Sequence, residues 1–174
     1  MSLLLDIRDL SVSFGGVRAL NELCLEITRG EIIGLIGPNG AGKTTAFNVV
    51  TGRIKPSSGS ISFCGTEITG WPAPRIARNG IARTFQNIKL YEDLSVIENV
   101  MIAAHSSISY SFLEAILGLG RFTSDELRIR LKAHELLELM NLKELAFERA
   151  SSLPYGSQRK LEIARALALE PQLL

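Results

Sequence analysis

Cysteine, histidine and aromatic residues are scarce in this sequence. Its 174 residues include two cysteines, two histidines and one tryptophan, and aromatic residues make up 6% of the chain. Cys24 and Cys64 lie in apolar stretches without CxxC spacing or a neighbouring histidine, a pattern that predicts two buried small side chains. The composition therefore argues against a metal or redox site built on cysteine.

The sequence also lacks an excess of charge of either sign and any long apolar run. Nineteen Lys and Arg oppose eighteen Asp and Glu, so the net charge is +1 and gives no reason to expect nucleic acid as the main partner. The longest uncharged stretch, NVMIAAHSSISYSFL, is too polar to supply the ~20 apolar residues of a membrane span. Asp6 interrupts the N-terminal apolar run, which disfavours a secretory signal. We expect a cytoplasmic protein that reaches a membrane only through a partner.

What the sequence does have is apolar content, 46%, sufficient for one domain with a core. The stretches LLLDIRDLSVSF and LNELCLEI alternate and predict half-buried antiparallel strands. IIGLI has no polar interruption and predicts a central strand covered on both faces. This strand runs into a glycine-rich loop, and the residues from Lys43 to Val50 predict a helix that ends near Gly52. The order strand, glycine-rich loop, helix predicts an α/β fold.

Further along, short elements give way to a longer helical pattern. SSGSISFCG predicts a turn and a short strand, PAPRIARNG predicts a brief helix, and Ser95 is a predicted helix N-cap. Thr123 and Glu126 predict a capping box at the start of another helix. The apolar stripe of that helix is set by spacings of three and four at Leu127, Leu131, His134 and Leu137 or Glu138. His134 is interpreted as an edge residue of this stripe with no chemical role.

The glycine-rich loop carries the strongest chemical signal. Residues 37–44 read GPNGAGKT and fit the P-loop pattern G-x-x-x-x-G-K-[ST] in full, between a predicted strand and a predicted helix. Such a backbone wraps a phosphate with its N–H groups, and the helix presents its positive end to the same anion. Lys43 adds a charge for the β- and γ-phosphates, and the Thr44 hydroxyl is placed to ligate Mg²⁺. The expected cofactor-binding residues of the loop are Gly37, Pro38, Asn39, Gly40, Ala41, Gly42, Lys43, Thr44 and Thr45.

Three stretches, taken in order, carry a resemblance to a known family. GLIGPNGAGKTTAFNVVTG, GIARTFQNIKLYEDLSVIENV and LPYGSQRKLEIARALALEPQLL together resemble the ATP-binding subunit of ABC transporters, and RTFQ and SVIENV are most similar to subunits that serve bacterial branched-chain amino acid importers. The resemblance implies an α/β fold with a P-loop NTPase (RecA-like) core, N-terminal antiparallel β strands and a helical subdomain. It implies one domain, incomplete at its C-terminus, with residues 1–90 in the ATPase core, 91–152 in the helical subdomain and 153–174 in the signature and its helix.

The same resemblance implies roles for residues outside the loop, with ATP and Mg²⁺ as the bound cofactors. Phe14 matches the aromatic residue on which adenine stacks. Gln86 matches the sensor glutamine of the Q-loop, whose amide reaches Mg²⁺ and the attacking water, so Thr44 and Gln86 are the expected metal contacts. The family signature LSGGQ, which reaches across a head-to-tail dimer to the γ-phosphate, is matched by Leu153, Pro154, Tyr155, Gly156, Ser157 and Gln158.

The signature departs from the family string in two ways. Pro154 replaces a serine and supplies neither the hydroxyl nor the N–H of that residue. Ser157 stands where a glutamine is expected, although Gln158 follows at once. Two interpretations stay open: a degraded cross-site and a tolerated variation.

The resemblance also implies residues that these 174 positions do not contain. It implies a buried strand ending in an Asp that holds Mg²⁺, an adjacent Glu that polarises water, and a later switch His. No acidic residue follows Glu170, and no histidine follows His134. We therefore expect an apolar face near IIGLI to stay uncovered and the chain to bind ATP without hydrolysing it, and we assign no catalytic residue.

The implied function is to couple ATP binding and hydrolysis to the import of branched-chain or related amino acids. The implied partners are a second ATP-binding subunit, identical or different, transmembrane permease subunits and, indirectly, a substrate-binding protein. The implied location is peripheral, on the cytoplasmic face of a bacterial inner membrane, and no nucleic acid is expected. Two alternatives stay open: a soluble ABC ATPase acting on nucleic acid or ribosomes, and a nonhydrolytic remnant.

Overall fold

The computed structural model describes residues 2–84, 88–105 and 120–174, and for residues 120–124 it describes the backbone alone. These residues form two compact units, Met1–Asn79 and Gly80–Leu174. The first unit combines an antiparallel sheet with two helices, and the second is mainly helical. The division of the chain at residues 90 and 152 stays a prediction.

The first unit is built on a four-stranded sheet of order β2-β1-β3-β4. Its strands are β1 (Leu3–Phe14), β2 (Val17–Thr28), β3 (Ser58–Phe63) and β4 (Thr66–Glu67), and each pairs antiparallel with its neighbours. Gly15 and Gly16, with φ of 48° and 90°, form the turn that joins β1 to β2. The predicted hairpin and short strand are confirmed.

Two helices complete the first unit where the sequence predicts them. α1 spans Lys43–Val50 and buries Ala46 and Val49. α2 spans Ala73–Arg78, follows Pro72 and buries Ile76. Pro74 lies in its first turn, where the φ that the proline ring imposes is already helical.

Residues 31–38 do not form the central strand that IIGLI predicts. The whole segment is exposed and lies outside every strand, with Ile36 94% exposed. A strand needs a hydrogen-bonded neighbour, and a wholly apolar one needs cover on both faces. No segment among residues 2–84, 88–105 and 120–174 pairs with it as a ladder. The predicted strand is therefore wrong, and the predicted uncovered apolar face is confirmed.

The second unit packs three helices around one apolar core. They are α3 (Val96–His105), α4 (Gly120–Leu139) and α5 (Tyr155–Ala168), with single 3₁₀ turns at Lys143–Leu145 and Ala150–Ser152. Ser95 precedes α3 and exchanges hydrogen bonds with Glu98: its N–H donates to Oε2 at 2.8 Å, and its Oγ accepts from the Glu98 N–H at 3.4 Å. This capping box confirms the predicted N-cap.

α4 departs from its sequence prediction in its start and in its buried face. It begins at Gly120, so Thr123 lies inside the helix and is not its N-cap. Leu127 and Leu131, predicted to be buried, are 59% and 56% exposed. The core is reached through Ile129 and Ala133, which the predicted stripe leaves out, and through Leu137, whose predicted place in the apolar stripe is confirmed. His134 is half-buried with its ring 6.5 Å from that of Phe147, so its interpretation as an edge residue is confirmed.

Both cysteines are exposed, which corrects the prediction that they are buried. Cys24 lies on the solvent side of β2, where its Sγ accepts a hydrogen bond from the Asp9 N–H at 3.3 Å. Cys64 follows β3 in a turn with φ of 49°. Among the residues that the structure describes, no three His, Cys, Asp or Glu side chains are grouped so as to hold a metal ion. In the same residues, no helix has the length and apolarity to cross a bilayer.

Candidate nucleotide-binding site

The glycine-rich loop, residues 37–42, leads directly into α1, whose first residue is Lys43. Gly40 and Gly42 adopt φ of 85° and 83°, a region that favours glycine because it carries no Cβ. The loop turns back on itself, with the Ala41 N–H donating to the Pro38 carbonyl at 3.2 Å. The P-loop pattern in the sequence therefore corresponds to a tight turn at the N-terminus of a helix.

Gly42 is also required by the space around it. A Cβ at this position would lie 2.3 Å from the Ala19 carbonyl oxygen and 2.8 Å from Leu20 Cδ2, both on β2. A Cβ at Gly40 would meet nothing within 4 Å. The loop is thus packed against β2 at Gly42, where it meets α1. At Gly40 it has free space around it.

The Lys43 side chain folds back over the loop. Its ammonium donates to the Gly37 and Pro38 carbonyl oxygens, each at 2.6 Å. The first amide of the α1 ladder is that of Ala46, which donates to the Gly42 carbonyl at 2.9 Å. The N–H groups of the preceding residues lie outside the ladder, as at the start of any helix.

The electrostatics at this end of α1 favour an anion. The first turn contains no acidic side chain, and the positive end of the helix dipole coincides with the Lys43 ammonium. The Thr44 side chain is exposed and Thr45 is half-buried. The arrangement offers one ammonium, helix-terminal amides and a threonine hydroxyl, which is the donor set that a phosphate chain requires.

Phe14 belongs to the same unit as the loop. It ends β1, pairs in register with Val17 across the Gly15–Gly16 turn, and is 49% exposed. An aromatic ring of this exposure has a free surface for a planar ligand. Gln86, the remaining predicted nucleotide contact, lies outside the described residues.

The predicted signature, residues 153–158, is contiguous in the second unit. Leu153 is buried, and Pro154, with φ of −57°, immediately precedes α5. The Pro154 carbonyl accepts hydrogen bonds from the Ser157 and Gln158 amides at 2.9 and 3.0 Å. The Gln158 side chain donates to the Leu153 carbonyl at 3.0 Å, so part of its hydrogen-bonding capacity closes its own turn.

Tyr155 is a third departure from the family string, at the first glycine of LSGGQ, and it was not predicted from the sequence. Tyr155 is 67% exposed, and its hydroxyl accepts from Arg159 Nε and Nη2 at 3.1 and 3.0 Å. This hydrogen bond is the main cause of a raised pKa of Arg159. Arg159 Nη1 also donates to the buried Glu162 at 2.9 Å. The spacing of four residues between tyrosine and arginine on one helix was the available signal.

The chain resembles proteins of known family along almost its whole length. The family model described as ABC transporter matches residues 20–174. The chain is 40% identical over 171 residues to a high-affinity branched-chain amino acid transport ATP-binding protein, BraF, of Pseudomonas aeruginosa, and this match covers 98% of the chain and 67% of the relative. The corresponding protein LivG of Escherichia coli K12 is 41% identical with the same coverage.

Solved structures give the same result for the fold. The ADP conformation of an ATP-binding cassette of an ABC transporter superposes with a TM-score of 0.81 at 29% identity, covering 98% of this chain and 66% of that one. A nucleotide-free cassette from an ABC transporter superposes with a TM-score of 0.78, also at 29% identity, covering 98% of this chain and 66% of that one. The chain thus spans about two thirds of the length of these relatives, and its α/β fold is that of P-loop NTPase cassettes.

Proposed function

This chain belongs to the ABC transporter family, and from that premise we propose that it is the ATP-binding component of an importer of branched-chain or related amino acids. The observation that carries ATP binding is the loop 37–42 closed against β2, with Lys43 and the N-terminus of α1 at its opening. The amino acid substrate rests on 40% and 41% identity to subunits of branched-chain amino acid transporters. The same identities favour the importer over a soluble ABC ATPase acting on nucleic acid or ribosomes.

At the proposed site the loop binds the phosphate chain and Lys43 neutralises part of its charge. The Lys43 ammonium already lies within 2.6 Å of two loop carbonyls, so a short movement exchanges these acceptors for phosphate oxygens. The Lys43 ammonium is charged in both arrangements, but the phosphate oxygen is also charged, so the exchange adds an attraction between opposite charges to each hydrogen bond. The contribution of Lys43 to binding is therefore the difference between its interaction energy with phosphate oxygens and that with the loop carbonyls.

Thr44 fits the expected Mg²⁺ through its exposed hydroxyl in the first turn of α1. Magnesium takes few protein ligands and completes its shell with water and phosphate oxygens, so one hydroxyl beside a phosphate site is a sufficient protein contribution. When bound, the ion neutralises charge on the β- and γ-phosphates. Gln86 is the second proposed metal contact, and Phe14 is proposed to stack on the adenine.

The signature end of α5 is proposed to face the ATP of a second ATP-binding subunit. Pro154, Tyr155 and Gly156 are exposed, and a Cβ added at Gly156 would meet nothing within 4 Å, so this helix start is accessible. We further propose that the chain acts on the cytoplasmic face of the membrane. Its proposed partners there are permease subunits and, indirectly, a substrate-binding protein. ATP binding without hydrolysis by these 174 residues stays a prediction.

The test is the shift in melting temperature that ATP and Mg²⁺ produce. A ligand at one hundred times its dissociation constant stabilises the native state by about 2.7 kcal/mol, and only through a native site. We expect Lys43→Ala to remove this shift and Lys55→Ala, a change at an exposed lysine of the same unit, to keep it. An equal shift in the Lys43→Ala variant would show that the loop is not the site. In the same samples, steady phosphate release that depends on Lys43 would overturn the prediction of no hydrolysis.

A further inference from the structure

Asn99 of α3 holds the backbone of the turn from Tyr91 to Ser95. Its side chain is fully buried, and its Oδ1 accepts from the Tyr91 N–H at 2.9 Å. Its Nδ2 donates to the carbonyl oxygens of Tyr91 and Ser95, each at 3.0 Å. Because the amide uses both its oxygen and its nitrogen, the position of Tyr91 is set relative to α3.

Arg165 of α5 holds the same segment from another side. Its Nη1 donates to the Lys89 carbonyl, and its Cζ lies 5.1 Å from the centre of the Tyr91 ring. α5 begins with Tyr155 of the predicted signature, and Lys89 lies three residues after Gln86 in the sequence. A contact at Arg165 therefore joins the exit of the predicted Q-loop to the helix that carries the signature.

The burial of the Arg165 guanidinium lowers the stability of the fold. Burial lowers the pKa of its guanidinium, and its buried Nε has no hydrogen-bond acceptor among the described residues. A buried donor without a partner loses its hydration without compensation, and an apolar side chain of similar volume avoids that cost. An unsatisfied group of this kind calls for an explanation other than packing.

We propose that Asn99 and Arg165 are positioning residues, which tie the exit of the Q-loop to the signature helix so that a movement of one is passed to the other. The four residues Lys89, Tyr91, Asn99 and Arg165 are called the clasp below. Asn99 anchors the clasp to α3, and Arg165 is its link to α5. The inference rests on the proposed function, because the Q-loop and signature respond to ATP only if the chain binds it.

α5 is a continuous helix, so a displacement at one end is transmitted to the other. The helix is continuous from Tyr155 to Ala168 and buries Leu161 and Ala164 in the core shared with α3. The hydrogen-bonded backbone of the helix moves as a rigid body over the nine residues that separate Tyr155 from Arg165. Removal of the Arg165 link leaves the core and the Asn99 contacts in place, so the fold is expected to persist while the transmission is lost.

The experiment measures amide hydrogen exchange of the 174-residue chain with and without ATP and Mg²⁺, in peptides covering residues 88–95 and 154–160. In the unmodified chain we expect ATP to slow exchange in both peptides. In Arg165→Met we expect the ATP-induced thermal shift to persist, but the slowing at 154–160 to fall from about tenfold to less than about twofold, as for the loss of one charge-assisted hydrogen bond. A purely structural role for Arg165 would change both the ligand-free exchange and the thermal shift.

Three further variants sharpen the result. Arg165→Lys keeps a donor for the Lys89 carbonyl but loses the planar contact with Tyr91, and is expected to restore part of the ATP effect. Tyr91→Leu removes the same contact from an exposed position and is expected to weaken the effect even if Arg165→Met fails to fold. Arg130→Met, the same substitution at an exposed arginine of α4, is expected to leave it unchanged.

The possible outcomes distinguish failure of the clasp hypothesis from failure of the proposed function. A full ATP effect at residues 154–160 in both Arg165→Met and Tyr91→Leu, with the thermal shift intact, overturns the clasp alone. An ATP effect confined to residues 88–95 in the unmodified chain overturns it too. Absence of any thermal shift in the unmodified chain overturns the proposed function and the clasp together.

Discussion

Gly42→Ala is expected to destabilise the first unit much more than Gly40→Ala. Both glycines lie in the same loop at φ of 83° and 85°, so both variants carry about 1–2 kcal/mol of left-handed strain. Only at Gly42 would the new Cβ lie 2.3 Å from a backbone oxygen, that of Ala19 on β2. This atom cannot rotate away as a side chain would, so β2 or the loop must shift, at a further cost of about 1–3 kcal/mol. The expected difference between the variants is this second cost.

Urea unfolding followed by tryptophan fluorescence measures that difference in the unit concerned. Trp71 is the one tryptophan of the sequence and lies in the first unit. With a urea dependence of about 1–3 kcal/mol per molar, a difference of about 2 kcal/mol separates the midpoints by about 1 M. The gain from restricting the unfolded chain is the same for both glycine replacements and cancels. Equal midpoints for the two variants would refute the inference that β2 confines the loop.

Two further predictions concern the second unit. Asn99→Ala is expected to lower its free energy of unfolding by about 1–3 kcal/mol. The Tyr91 N–H loses its acceptor, whereas the Tyr91 and Ser95 carbonyls each lose one of two donors and keep the Leu94 and residue-99 amides. Thermal melts by far-ultraviolet circular dichroism measure this change, with the exposed Asn21→Ala as control. Hydrogen bonds from Ser95 lower the pKa of Glu98, so their contribution is full at neutral pH and is lost as the pH falls through the depressed folded value. The melting temperatures of Ser95→Ala and the unmodified chain should therefore converge on acidification, and a gap independent of pH would contradict this.

Elements whose signals are local in the sequence were predicted well. The β1–β2 hairpin follows from alternation on both sides of Gly15 and Gly16, and α1 follows from a glycine-rich turn before a helical run. The capping box of Ser95 and Glu98 depends on residues three apart. In each case the groups that determine the structure are neighbours in the chain, so a pattern of residue types is sufficient to identify them.

Several predictions that depend on a distant covering surface were wrong. Periodicity on α4 groups Leu127 with Leu131 and also Ile129 with Ala133, and it does not tell which group meets a neighbouring helix. The core accepts the group with the small Ala133, whose side chain is fully buried in the core that includes α3 and α5. IIGLI carries the composition of a buried strand, but composition supplies no partner for its backbone. Cys24 and Cys64 were misjudged for the same reason.

The candidate site shows the same division between local and distant signals. The P-loop was found from eight consecutive residues, whereas the contact of Arg165 with Lys89 joins positions 76 residues apart and leaves no trace in residue spacing. Gly42 is intermediate: its turn conformation follows from the motif, but the close approach to Ala19 is visible only in the folded unit. Residues that position a site are therefore harder to find from sequence than residues that contact its ligand.

Pro154 shows how the structure narrows a question that the sequence leaves open. Its φ of −57° is close to the value that the proline ring imposes, and its carbonyl still accepts two hydrogen bonds from the first turn of α5. At the residue before a helix the missing N–H is not needed by the helical ladder, because the first amides of a helix have no partner within it. The proline is therefore compatible with the local fold, and what it removes is a hydroxyl and an N–H that a ligand could have used. If the proposed cross-site is weakened, the cause lies in the contact with nucleotide and not in the formation of α5.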